Sequence, residues 1–173
     1  MSMKTKQKNN LINYGFIVAL IAIIAFLIFS NLKTYRSVQL VEGEMQKYGQ
    51  ILVQAREKAL VGEHFNDSEV VPYAYGVYLN NDEQSLVLCG DVNGDFDCVL
   101  SEFLQVESLS TAIIINEFHT LNFLKFQSVD GVCIDDECDL TGEYLVAEFQ
   151  FEENSNIISQ MFYYADANRF TIK

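Results

Sequence analysis

The chain has 173 residues, half of them hydrophobic, with 24 acidic and 11 basic residues and a formal net charge of −13. All the acidic residues lie at or after Glu42, and from Ser37 onward only six basic residues face them, a local balance of −18. A field of that sign repels phosphate backbones, so nucleic acid is not an expected partner.

The first 15 residues form a short basic leader with Lys4, Lys6 and Lys8. From Leu11 to Leu32 no residue is charged, and at ~1.5 Å per residue these positions match the hydrocarbon thickness of a bilayer. Residues 16–32 are therefore expected to cross a membrane. The exit, "FSNLKTYRSVQ", lacks the small-residue pattern of a removed secretory signal, so the segment is expected to stay. Basic residues before the span and acidic ones after it place the N-terminus in the cytoplasm and the rest outside.

Beyond the span, Val38, Val41, Met45, Tyr48, Leu52, Ala55 and Ala59 recur at spacings of three and four. This predicts an amphipathic helix over residues 33–62, with Glu42, Glu44, Lys47, Gln54, Arg56 and Lys58 on its other faces. Gly43 and Gly49 each weaken such a helix by ~1 kcal/mol, so packing against the rest of the chain must offset them. Gly62 is the expected stop.

Residues 63–173 are long enough for one compact domain, and no Ser/Gly/Pro-rich tract divides them. Short runs rich in Val, Ile, Phe and Tyr predict strands at 70–79, 85–89, 111–116, 121–128, 143–152, 156–165 and 169–172. In "YLVAEFQFEE", Leu145, Ala147, Phe149 and Phe151 share one expected face, with Val146, Glu148, Gln150 and Glu152 on the other. The connections are too short for helical crossovers, so the expected class is α+β, a long helix on an antiparallel β-sheet or sandwich.

In order, the chain carries a basic leader, Gly15-Phe16, an apolar helix extended by "LVQAREKALVGE", then "YGVYL", an Asp/Asn/Gly-rich hairpin and a closing "DANRFTIK". This order resembles the type IV pilin-like proteins, most of all the minor pseudopilins of type II secretion and the minor pilins of type IV pili. The resemblance implies a prepilin peptidase cutting after Gly15, Phe16 as the methylated first residue of the mature subunit, and other pilin-like subunits as partners. The family usually carries Glu at the fifth mature position, where its carboxylate meets a neighbour's N-terminal amine. Here that position is Leu20, which has no carboxylate; a tip subunit, assembly by packing alone, or a protein that stays in the membrane all fit.

Within "DVNGDFDCVLSE", Asp91, Asn93, Asp95, Asp97 and Glu102 stand at loop positions 1, 3, 5, 7 and 12 of a Ca²⁺-loop spacing. Position 6, which should be Gly, is Phe96. The same residues also suit a solvated acidic hairpin in which Asn93-Gly94 supplies the turn. Cys89, Cys98, Cys133 and Cys138 lie in the exported part, where an even number favours disulfides. The local pairs Cys89 with Cys98 and Cys133 with Cys138 cost least to close, with a four-thiolate zinc site or free buried thiols as rivals. "DGVCIDDECD" gathers Asp130, Asp135, Asp136, Glu137 and Asp139 into an acidic segment expected to be solvated, with a second cation site or a surface for a basic partner as the alternatives.

His64 and His119 stand apart, and there is no nucleophile elbow, P-loop or dinucleotide fingerprint. The expectation is a non-enzymatic, single-span pilin-like subunit that joins, initiates or caps a filament. Its alternative is an anchored extracellular binding module that forms no filament. No cofactor is required by the motifs, and calcium is the one the acidic loop suggests.

Overall fold

The computed structural model describes residues 3–65, 69–125, 131–135 and 137–173, with helix side chains from Phe16 onward. Gly15, the leader lysines, Asp130, Asp136 and the 126–128 end of one expected strand lie outside what is described, as side chains or altogether. Among the described residues one helix, α1 (Met3–Val61), is followed by nine strands: β1 (Ala74–Asn80), β2 (Ser85–Asp91), β3 (Phe103–Ser108), β4 (Ile113–Phe118), β5 (Leu121–Leu124), β6 (Val132–Ile134), β7 (Glu143–Phe151), β8 (Asn154–Tyr164) and β9 (Arg169–Ile172). The chain divides into two compact units, residues 1–39 and Leu40–Lys173, so the boundary falls inside α1 and its second half belongs with the strands.

In the second unit the apolar stripe of α1 is the spine of the core. Val41, Met45, Tyr48, Leu52, Ala55 and Ala59 are buried, as the spacing predicts; the remaining member of the predicted stripe, Val38, belongs to the first unit and is half-buried. Two residues join the stripe that the pattern does not assign to it, Ile51 and Glu44. Glu44 is a correction: it sits three or four residues from Val41 and Tyr48 and so shares their face. Lys47 holds its two carboxylate oxygens at 3.0 Å, which satisfies the charge that burial would otherwise strand. The helix ends where expected. Gly62, at φ +66°, takes the left-handed conformation, and the N–H groups of Gly62 and Glu63 close on Lys58 O at 2.9 and 3.1 Å.

Two antiparallel sheets cover this helix, one ordered β3-β2-β1-β5-β6 and the other β4-β7-β8-β9. Tyr48 packs its ring on Phe118 and Phe149 of the second sheet, with centroids at 5.2 and 6.3 Å. Tyr75 of β1 donates its hydroxyl to Glu63 O just past the helix end, and burial pushes that phenol up to about 12, helped by the Glu63 carboxylate. Every residue of β2 is buried, which requires cover on both faces of the first sheet. That sheet's β1 and β2 pair in register from Ala74 with Asp91 to Asn80 with Ser85.

The strand pattern departs from expectation in three ways. β3 and β6 are additional strands, and the strand expected at 70–79 starts only at Ala74. In β7 the strict alternation fails: Val146 is buried beside Ala147, because the pairing with β8 slips between Leu145 and Ala147. That bulge turns one residue inward and re-sets the faces, so only Ala147, Phe149 and Phe151 keep the predicted buried row.

Candidate functional site

The first unit presents an apolar helix surface. Phe16, Phe26 and Phe29 are 70%, 73% and 72% exposed, and Val18, Ile21, Ile23, Ile24 and Leu27 are exposed around them. Leu20, at the position that decides the assembly reading, is one more exposed apolar side chain. The helix is long and apolar enough to cross a membrane. A surface of this kind is stable in lipid or against similar helices and costly in water.

In the second unit the acidic segment 91–102 folds over the first sheet and is tied down from inside. Asp91, fully buried at the end of β2, accepts from Gly94 N at 2.6 Å and from Phe96 N at 3.3 Å. Glu102, buried in the 3₁₀ turn Leu100–Glu102, accepts from Val92 N at 3.1 Å and Val99 N at 3.3 Å. Asn93 and Asp95 continue the pattern by accepting from Asp95 N at 3.2 Å and Asp97 N at 2.9 Å. The backbone of Phe96 lies at φ +59°, the conformation a glycine would take at the sixth loop position. Its carbonyl accepts from Tyr78 Oη at 2.7 Å, which anchors the loop to β1.

These residues therefore stand in sequence order around their own backbone donors. Among the described residues no three His, Cys, Asp or Glu side chains gather closely enough to hold a metal ion. As arranged, the loop is an acidic turn closed by its own N–H groups. A shallow groove beside it is lined by Tyr78, Asn80, Asp82, Val87, Leu100 and Phe103, with Leu100 83% exposed at its rim.

The cysteines form the two local pairs. Cys89 bonds Cys98, joining buried β2 to the acidic loop, and Cys133 bonds Cys138 around the end of β6. No free cysteine is present among the described residues, so the zinc and free-thiol rivals do not hold.

Sequence reasoning leaves His119 isolated, but the fold does not. It sits at the corner between β4 and β5, where the chain passes from one sheet to the other. Its Nδ1 meets Asp135 Oδ2 and its Nε2 lies 3.1 Å from Glu117 Oε1. Burial alone would lower its pKa, but the hydrogen bonds and charges of Asp135 and Glu117 outweigh that and raise it above 6.5. Asp135 and His119 are sixteen residues apart in sequence, and only the pairing of β5 with β6 brings them together.

The chain thus combines an exposed apolar helix, continued by an amphipathic half, with a disulfide-bonded antiparallel β-domain, the general architecture of pilin-like proteins. No protein-family model, curated protein or solved structure matches it.

Proposed function

We propose that the protein is a non-enzymatic pilin-like subunit that inserts in a membrane and joins, initiates or caps a pseudopilus or type IV pilus. The observation that carries this reading is α1 itself. Its first part exposes large apolar side chains, and its second part buries a stripe of them under two sheets. One helix so divided can exchange lipid for the helices of other subunits without disturbing the domain it supports. The resemblance adds a prepilin peptidase as processing partner, a cut between Gly15 and Phe16, and an extracytoplasmic position for the β-domain.

Mass spectrometry of the mature N-terminus tests this reading. The expected product begins at Phe16 and carries an added methyl group; an intact residue 1, or a cut elsewhere, would remove the prepilin assignment.

A second reading is a single-span anchored binding module that forms no filament. Leu20 favours it, because it lacks the carboxylate that the resemblance leads one to expect, and so does the groove beside the acidic loop. Capture of the detergent-solubilised chain with other pilin-like subunits supports the first reading; capture of none, with the N-terminus uncut, supports the second.

A further inference from the structure

His119 has a carboxylate at each ring nitrogen. A neutral imidazole carries one N–H and one lone pair, so it can satisfy only one of two such acceptors; the imidazolium satisfies both. The two carboxylates come from different sheets. Glu117 belongs to β4, the edge strand of the second sheet, whereas Asp135 follows β6, the edge strand of the first.

The surroundings fix this corner on both sides. His119 N donates to Val146 O of β7 at 2.9 Å, which holds the backbone of the histidine to the second sheet. Opposite it, Asp135 N donates to Thr120 O at 3.0 Å, and Thr120 N donates to Asp135 Oδ1 at 2.8 Å. Asp135 lies at φ +45° inside the turn that Cys133 and Cys138 close, where Ile134 and Glu137 exchange two backbone hydrogen bonds of 2.9 Å. From α1 the group that faces the corner is the phenol of Tyr48. It is fully buried, its ring packs on Phe118, and burial followed by the charge of Asp135 keeps it protonated far above neutral pH. With about a third of its side chain exposed, His119 can exchange its proton with solvent.

We propose that His119 is a proton-operated clasp across the seam between the two sheets: as an imidazolium it ties the turn at Asp135 to the β4 edge through both carboxylates, and loss of its proton breaks one of the two links and loosens that tie. The released lone pair faces Asp135 when the proton leaves Nδ1 and Glu117 when it leaves Nε2; either repulsion breaks the link between the two carboxylates, while Thr120 still holds Asp135. The Thr120 contacts and the Cys133–Cys138 bond remain, so the turn around this bond is loosened rather than unfolded.

Reduction of Cys133–Cys138 by a water-soluble phosphine tests the clasp. The full chain, solubilised in detergent micelles, is reduced and alkylated at about pH 6 and about pH 9, on either side of an imidazole proton loss. Peptide mass spectrometry follows the two cysteines in the unmutated chain and in His119→Gln, whose ratio cancels the intrinsic pH dependence of the reagent. The expected result is reduction about three- to fivefold slower in the unmutated chain at the lower pH, the scale of a partly exposed charged hydrogen bond, and equal rates at the higher pH. The same ratio at both pH values would overturn the proposal. Should His119→Gln fail to fold, Asp135→Asn replaces it: it keeps an acceptor for Thr120 N but removes the charge. The midpoint of the pH dependence must then move down, and an unmoved midpoint overturns the clasp.

Discussion

Gly76→Ala isolates the contact on which the acidic loop is hung. A Cβ built at Gly76 would lie 2.2 Å from Asn122 Oδ1 and 2.4 Å from Tyr78 Cε2, far inside van der Waals contact. In an open strand the substitution would stabilise by about 0.5–1 kcal/mol through the unfolded chain. Here it must displace a fully buried Asn122 and the Tyr78 ring, which costs about 1–3 kcal/mol as overpacking. The displacement also breaks the hydrogen bonds of Tyr78 Oη to Asn122 Oδ1 and Phe96 O, 2.8 and 2.7 Å long, and a stranded buried acceptor adds about 1–3 kcal/mol. The steric effect therefore wins, with a net loss of about 2–4 kcal/mol, or roughly 5–15 °C in melting temperature for a chain of this size. The assay is circular dichroism on the detergent-solubilised chain, with Gly76→Ala, Asn122→Ala and the double variant compared. Removing Asn122 Oδ1 makes room for the new methyl group, so the double variant must be more stable than the summed single losses by about 1 kcal/mol or more. A Gly76→Ala chain that melts with the unmutated one, or strict additivity in the cycle, would refute the reasoning.

Three further outcomes follow from other parts of the fold. Gly43→Ala should stabilise by about 0.5–1 kcal/mol, since its Cβ would meet nothing within 4 Å; Gly49→Ala, whose Cβ would press Met161 Cε at 3.3 Å, should gain less in the same melting assay. With its carboxylates engaged by backbone donors, the 91–102 loop should melt alike in calcium and in chelator. A calcium-dependent rise that Asp95→Ala abolishes would show instead that the loop opens to a cation. His119 has a raised pKa, so the stability it contributes is fully present below the ordinary value of 6.5 and is lost as pH rises through the higher folded value. The melting advantage of the unmutated chain over His119→Gln, below about 1 kcal/mol for so exposed a pair, should shrink with rising pH, and a constant or growing advantage would reverse the sign.

The helix stripe was legible because a period of 3.6 survives in the sequence whatever packs on it, and the three- and four-residue spacing found six of its buried members. It misplaced Glu44 because charge was given more weight than position, although Lys47 one turn on could supply its partner. β6 is only three residues long and lies inside an acidic run, so neither composition nor alternation marks it; its strand character comes from pairing with β5. β3 is concealed in a similar way, with Glu102 just before it and Glu107 within it. Val146 shows the limit of alternation itself, since a bulge leaves no trace in a pattern of apolar and polar letters.

The acidic loop shows how the two levels fit together. Its oxygen-bearing residues were found by spacing, and Phe96 at the sixth position counted against a sharp turn there. The chain makes that turn with Phe96 at φ +59°, at a cost of roughly 1–2 kcal/mol for a side chain in the left-handed region. Three constraints from elsewhere hold it: Asp91 on its N–H, Tyr78 on its carbonyl, and the disulfide from Cys98 two residues on to buried Cys89. Strain of this kind persists where the surrounding structure over-determines it. The Cys89–Cys98 pair was among those the spacing favoured, but Tyr78 lies 18 residues away, so no reading of the loop alone could have supplied it. The side chains that fix the turn belong to the sheet beneath it, which is why the conformation expected of glycine is taken here by phenylalanine.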